Sequence, residues 1–588
     1  MTFSGSSYDV IIKGGRVFDG STGPSVIANV GIRDGKVVEI SASPLDETGC
    51  ARVIDATGKW VTPGMVDIHT HYDVEILDGP ALAESVRHGM TTIFLGSCSL
   101  STVHVEPSVA GDIFGRVEAI PRRHVIEAVE THGPWASAGE YADYIDSLAL
   151  GPNIAAFLGH SDIRASEMGL DRATTKGVVP TESELRGMEA KLSEALDAGF
   201  IGMSAQELLF DKLDGEVCRS RTLPSTYAKG RERRRLYKIL RKRDRVLQAG
   251  PDIGNPMSFV GLFSASTGLR RKKLKLSLLS AADLKANKFA IKIMGPTSRA
   301  VKKLGGDLKW QHLPVPFEVY ADGIDLVIFE EFGTGAAALH LADAVERMRL
   351  LQDEEYRRKF RKDYENKFGL RVWHRDFFDA DITECPDDSV IGKTFGQVGQ
   401  ERGGLHPVDA FLDLVVEHGT KLRWRTTISN HRPEVLNKLS VLDGVQMGFS
   451  DAGAHLRNMA FYNFGLRFLR RAHDAEKAGR GFMTMEHAVH RLTGELADWY
   501  DLDAGHLRVG DRADVVVIDP AGLDDELDSY HENPVPAFDN LPRMVNRNDR
   551  AVTAVLVGGE FVHGEGVASD KLGSVRTGRF LRAGQKAS

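Results

Sequence analysis

Two histidines one residue apart, His69 and His71, close the stretch Met65-Val66-Asp67-Ile68-His69-Thr70-His71. The apolar run Met65 to Ile68 reads as a buried strand, and on a strand residues i and i+2 share a face. Both rings then point the same way at the strand's exit, where two neutral imidazoles can hold one metal ion. Two polar residues leaving a strand fit the same pattern. Cys98 follows a second apolar run, Thr91 to Gly96, in Leu95-Gly96-Ser97-Cys98-Ser99. A thiolate is a good zinc ligand and can bridge two ions; a small buried thiol is the alternative. Asp451 ends the short run Val445 to Ser450 ahead of a glycine-containing turn. Beside a metal-activated water, a carboxylate can take a proton and hand it to a leaving amine. The competing role for Asp451 is a helix N-cap.

Other polar residues stand near apparent strand ends and are candidates for handling substrate. His160 follows Ile154 to Gly159, His431 follows Trp424 to Asn430, and Arg457 lies just past Asp451. An arginine grips a carboxylate with two parallel hydrogen bonds, although surface ion pairing explains such residues equally well. Glu207, Asp252 and Asp283 are acidic candidates at further strand ends.

These residues need a scaffold that brings distant strand ends together. Residues 62–500 alternate apolar strands with helical patterns, among them a predicted helix from Glu182 to Ala198 with apolar Leu185, Met188, Leu192, Ala195 and Leu196. Repeated strand–helix units predict a parallel sheet, and their number and length favour a TIM-like (β/α)8 barrel with its site at the C-terminal strand ends. Residues 1–61 read as short strands and turns, with Asp34-Gly35 as a hairpin signal. Too few to hold a core alone, they are expected to join strands of residues 501–570, such as Val515 to Ile518 and Val552 to Val557, in one small β-sandwich. Residues 254–400 read as an insertion or lid, and 571–588 as a tail. The basic runs at 231–245 and 270–275 read as solvated outer faces, since Leu236, Ile239 and Leu240 fall at helical spacing.

The chain has 588 residues, 42% of them hydrophobic and 27% charged, as in ordinary globular proteins. Its formal net charge of -8 argues against a dedicated nucleic-acid binder. Four cysteines without close spacing suit a reducing compartment. Met1 to Val10 lacks the pattern of a signal segment, and no apolar run reaches the roughly 18 residues of a membrane helix. A cytoplasmic protein is the expectation, with a small-molecule substrate, no nucleic acid, no membrane and homo-oligomerisation left open.

His69-Thr70-His71, the entry Val61 to Asp67, and Ser450-Asp451 resemble the amidohydrolase superfamily. Tyr72-Asp73 and Leu95 to Ser99 are similar to its D-aminoacylase branch, the N-acyl-D-amino-acid deacylases, as is the return His487 to Asp514. The resemblance implies zinc, an activated water and hydrolysis of the amide of an N-acyl amino acid. Carried over by position, His69, His71, Cys98 and Asp451 would be the ligands and Asp451 the proton shuttle. The family also places histidines at the ends of the fifth and sixth strands. Val246 to Asp252 and Leu274 to Ser280, the candidates here, carry none, so one zinc ion is expected, with two left open. A cyclic amide hydrolase of the hydantoinase or dihydroorotase kind is an alternative, as is a degenerate barrel that binds ligand without turnover.

Overall fold

The computed structural model describes residues 8–269, 271–368 and 371–585. Most of the stretch from Met1 to Val10, Arg270 of the second basic run and the last three residues of the tail lie outside the described residues. Eight parallel strands form the central sheet in chain order: β1 (Met65–Asp67), β2 (Met90–Leu95), β3 (Asn153–Gly159), β4 (Gly202–Gln206), β5 (Val246–Gly250), β6 (Lys275–Leu278), β7 (Asp307–His312) and β8 (Val445–Met447). Their residues are almost all buried, the pattern of parallel strands covered on both faces. The sheet closes just past the ends of β8 and β1. Thr70 bridges Ala452, the His71 amide donates to the Ala452 carbonyl at 2.7 Å, and the Asp451 amide donates to the His69 carbonyl at 3.1 Å. The barrel is thus sewn shut at three of the residues whose chemistry the sequence singles out.

The surrounding helices follow the expected amphipathic pattern. Helix Glu182–Asp197 buries Leu185, Met188, Leu192, Ala195 and Leu196 behind a capping box formed by Thr181 and Glu184. Helix Gly230–Arg243 buries Leu236, Tyr237 and Leu240, and its arginines pair with the acidic face of the neighbouring helix, Arg231 with Glu182 at 2.6 Å and Arg235 with both Glu182 and Glu189. The basic run is an outer helix face partly paired with carboxylates of the chain.

The stretch 254–400 is not one insertion. Strands β6 and β7 fall inside it, and the excursion proper runs from the end of β7 to β8. It carries a three-stranded antiparallel sheet in which Arg423–Ser429 lies between Phe317–Asp322 and Asp381–Glu384. Trp373, Phe377, Phe395, Phe411 and Trp424 pack edge to face beneath it. Strand 423–429, whose end reads in the sequence as a candidate barrel strand end, belongs to this excursion.

Both termini share one nine-stranded sheet. Trp60–Pro63 pairs antiparallel with Val515–Ile518, and Val10, Val30, Val61, Val515 and Leu556 enclose a common core. The tail then returns to the barrel: Leu581 donates to Ile154 at 2.6 Å, Ala583 donates to Gly199 at 2.9 Å, and both side chains join Val66, Phe94, Phe157 and Ile201 in the barrel interior. Ile154 and Gly199 lie at the N-terminal ends of β3 and β4, so the tail seals the end of the barrel opposite His69. No helix among the described residues is long and apolar enough to cross a membrane.

Candidate metal centre

His69 and His71 leave β1 with their rings buried and each is held from behind. The His69 Nδ1 lies 2.7 Å from Gln311 Oε1 on β7, and Gln311 Nε2 donates to Ser277 Oγ on β6 at 2.9 Å. With Oε1 turned to His69 and Nε2 to Ser277, Gln311 presents an acceptor to the ring, which puts the proton on Nδ1 and the lone pair of His69 on Nε2. Burial pushes the His69 pKa down to about 4, which keeps the ring neutral. His71 is backed by a carboxylate, Glu118 Oε1 lying 3.3 Å from its Nδ1. Burial disfavours the charged ring of His71, but Glu118, followed by Asp451 and Cys98, outweighs it and holds the pKa well above the usual value.

Both Nε2 atoms face one point. Asp451 Oδ1 is 3.4 Å from His69 Nε2 and 3.3 Å from His71 Nε2, and Cys98 Sγ is 3.3 Å from His69 Nε2. The ligand atoms of His69, His71 and Cys98 all lie within 4.8 Å of one another. Zinc bonds of about 2.0–2.3 Å give a tetrahedron with edges of about 3.3–3.7 Å, and the His69–Cys98, His69–Asp451 and His71–Asp451 separations match such edges. Once His71 and Cys98 give up their protons, two imidazole nitrogens, a thiolate and a carboxylate are a donor set that a borderline-soft ion prefers. Burial pushes the Cys98 thiol up to about 12. Asp451 stays well below the usual carboxylate range, because His71 and His69 overcome the effect of its burial. Its side chain remains 12% exposed, open to the cleft.

The loops that carry these donors are strained in a concerted way. Cys98, Ser99, Asp451 and His455 have φ values of 53°, 71°, 57° and 55°. Such conformations cost of order 1–3 kcal/mol each for ordinary side chains and persist where neighbours over-determine them. Here the neighbours are explicit. Asp73 accepts from the Gly96 amide at 2.9 Å, Gln248 Oε1 accepts from the Cys98 amide at 2.9 Å, and Ser450 donates to Asp67 beside β1.

Three residues of the site are not singled out by the sequence: Gln311, Glu118 and His455. Glu118 caps the C-terminus of helix Pro107–Val117, and its Oε2 lies 3.5 Å from His455 Nε2. Burial raises the Glu118 pKa to about 8 and lowers that of His455 to about 4. His455 stands four residues past Asp451, within a motif the sequence does display; Glu118 gives no local signal.

The candidates for handling substrate do not join this cluster. Both ring nitrogens of His160 are taken, by Ser225 at 3.0 Å and Glu232 at 2.9 Å, in a buried network with Arg164. That histidine is a satisfied core residue with no polar atom left for a substrate. His431 follows a strand of the excursion, and its nearest carboxylate, Asp283 at 4.0 Å, is claimed by Arg432. Arg457 pairs with Asp322 at 3.4 Å and Glu532 at 3.2 Å, because the turn after Asp451 sends His455 back toward the site instead. The acidic substitutes are also engaged: Glu207 by Arg233, Asp283 by Arg432, and Asp252 by its own turn at Gly254. β5 and β6 hold no histidine; their buried polar side chains, Gln248 and Ser277, are tied to the Cys98 loop and to Gln311.

A family model described as "Amidohydrolase family" matches residues 52–235, which span the two histidines and the cysteine. An uncharacterized protein of Mycobacterium tuberculosis is 54% identical over 589 residues, covering 98% of this chain and 96% of its own length. The N-acyl-D-glutamate deacylase of Alcaligenes xylosoxydans xylosoxydans is 32% identical over 202 residues, 33% of this chain and 36% of that one. The chain belongs to the amidohydrolase family. Among solved structures, this amidohydrolase is similar to the N-acyl-D-glutamate deacylase of Bordetella bronchiseptica, which was crystallised with zinc and a phosphonate mimic of the tetrahedral intermediate. The TM-score is 0.63 at 20% identity, over 98% of this chain and 100% of that one. A crystal structure of D-aminoacylase gives 0.61 at 19% identity over the same shares, so the fold is common to both.

Proposed function

We propose that this amidohydrolase hydrolyses the C–N amide bond of an N-acyl amino acid, of the D series or a related amide, with one zinc-class ion held by His69, His71, Cys98 and Asp451. The observation that carries the reading is the convergence of His69, His71 and Cys98 at the C-terminal strand ends, with the Asp451 carboxylate against both rings. A bound ion of this class supplies Lewis acidity toward an amide carbonyl and toward water. The chain's own residues do the rest. Gln311 and Glu118 orient the two rings, and the helix and tail packing beneath them keeps solvent from the far side. Asp451, ionised and reachable from the cleft, accepts the proton of the attacking water and returns it to the leaving amine nitrogen. Gln248, bonded to the Cys98 loop, and Ser277, bonded to Gln311, are neutral and support a single ion over a pair. The four free cysteines, one of them a ligand that must stay reduced, support a cytoplasmic setting.

The test is purification, metal analysis and assay of N-acetyl-D- and L-amino acids beside hydantoin and dihydroorotate. The expected result is about one ion per chain, release of free amino acid, loss of activity with chelator and recovery with zinc. Fewer than about one ion per two chains, with no activity gained on adding metal, would overturn it in favour of a barrel that binds without turnover.

A further inference from the structure

A pocket of about 230 Å3 opens between the barrel mouth and the excursion, with His455 on its inner wall beside the candidate metal centre. Its charged lining is paired off residue by residue. Arg116 meets Glu330, Arg219 meets Asp214, and Arg347 meets Asp325 at 2.7 Å. Those pairs use every carboxylate in the wall. One cation is left over: Lys212, half-buried, which among the described residues has no carboxylate within ion-pair reach. Asp211, next to it in sequence, turns inward and accepts from Gln206. The lysine is not on a loose loop. Lys212 bridges Thr222, Leu213 donates to Arg221 at 2.9 Å, and Asp214 donates to Asp112 at 2.8 Å, so the segment after β4 is stapled to itself and to helix Pro107–Val117. The rest of the pocket wall includes apolar Val117, Phe210, Leu326 and Met459.

An ammonium taken partly out of water without a paired carboxylate is costly unless a ligand brings one. Burial holds Lys212 below its usual pKa; Glu330, itself paired with Arg116, and the inward-turned Asp211 offset this only in part. We infer that Lys212 is a substrate-binding residue, that the pocket beside His455 takes the carboxylate of an otherwise apolar amide substrate, and that the enzyme selects anionic amides through it. This rests on the hydrolase reading above and extends it to a substrate class. The carboxylate can belong to the amino acid half or to the far end of the acyl half; the chemistry Lys212 recognises is the same.

Two measurements on the full-length purified protein test this. The first is binding of hexanoate against hexanamide, by calorimetry, to the wild type, Lys212→Met and Lys212→Arg. The expected result is at least tenfold tighter binding of hexanoate by the wild type, a preference abolished by K212M and largely kept by K212R. A wild type that binds both alike, or a K212M protein that melts cooperatively and keeps the preference, overturns the inference. A carboxylate taken by the metal centre would give that second result. Should K212M fail to fold, Lys212→Gln takes its place. The second measurement compares N-acetylleucine, N-acetylleucinamide and N-succinylleucinamide as substrates. K212M should raise KM tenfold or more for whichever carboxylate-bearing compound the wild type prefers, with kcat within threefold and the neutral amide unaffected. Equal loss on charged and neutral compounds contradicts the assignment. Absence of turnover in the wild type would remove the hydrolase reading alone, since hexanoate binding reads Lys212 independently.

Discussion

Gln311 makes no contact with the cleft that the sequence could advertise, yet it decides which nitrogen of His69 is free. Replacing it with leucine leaves His69 Nδ1 without an acceptor and Ser277 without its donor. Losing such an outer partner typically costs 10–100-fold in metal affinity or activity. Gln311→Leu should therefore weaken zinc binding by about that factor in a chelator competition, with the melting transition retained; unchanged affinity would mean that β1 alone orients the ring. The same cluster sets a pH dependence. In the metal-free chain Cys98 is a neutral thiol, burial having raised its pKa to about 12, and His71 carries a proton held by Glu118 and Asp451. Both groups must lose that proton to ligate, so binding releases protons and tightens as pH rises. Between pH 6 and 8 the apparent zinc affinity, corrected for the chelator's own titration, should rise tenfold to a hundredfold per pH unit, that is, by one to two protons. A flat profile would show that Cys98 and His71 are not both ligands.

The closure between β8 and β1 is the element on which the site depends, and Gly453 is its tightest point. Its φ is +91°, and a Cβ there would sit 2.7 Å from the Tyr72 nitrogen and 2.8 Å from the His71 carbonyl carbon. Neither atom is a flexible side-chain end, so Gly453→Ala must move the backbone that carries His71. The expected cost is about 1–3 kcal/mol of stability, with metal affinity falling more than the melting point implies. Intact zinc stoichiometry at a lowered melting point would place the strain elsewhere. What the sequence discloses follows the same division. Helix Glu182–Asp197 and strands β1 to β6 and β8 are legible because runs of apolar residues meet buried faces, and the ligand candidates are legible because they end such runs. Glu118 and His455 are not, since their direction depends on a helix cap and on a turn with φ of 55° that periodicity does not encode. The excursion misleads for a related reason: Trp424 and Ile428 are as buried as barrel residues, but their strand pairs antiparallel with Phe317–Asp322, and pairing partners are not written in a strand's own pattern.

At the scale of the whole molecule, the chain's last turn of sequence completes a barrel that its first third begins. Residues 577–584 lie across the N-terminal ends of β3 and β4, and Leu581 fills the interior beside Val66, Phe157 and Ile201, all of them nearly inaccessible. This end of the barrel is opposite the candidate metal centre, so stability and the proposed chemistry are spatially separated, as the barrel architecture permits. Leu581→Ala removes a buried side chain from a closed interior and should destabilise the fold by about 2–5 kcal/mol. Truncation after Asp570 should expose the same apolar floor and promote aggregation on heating. In both variants the fraction of chain that remains folded should keep its zinc stoichiometry and its kcat, because no donor of the site touches the plug. Denaturant unfolding alongside metal content and single-turnover activity separates the two effects. Loss of zinc from chain that is still folded would mean that the floor of the barrel positions the residues at its mouth, and that the separation of stability from chemistry is incomplete.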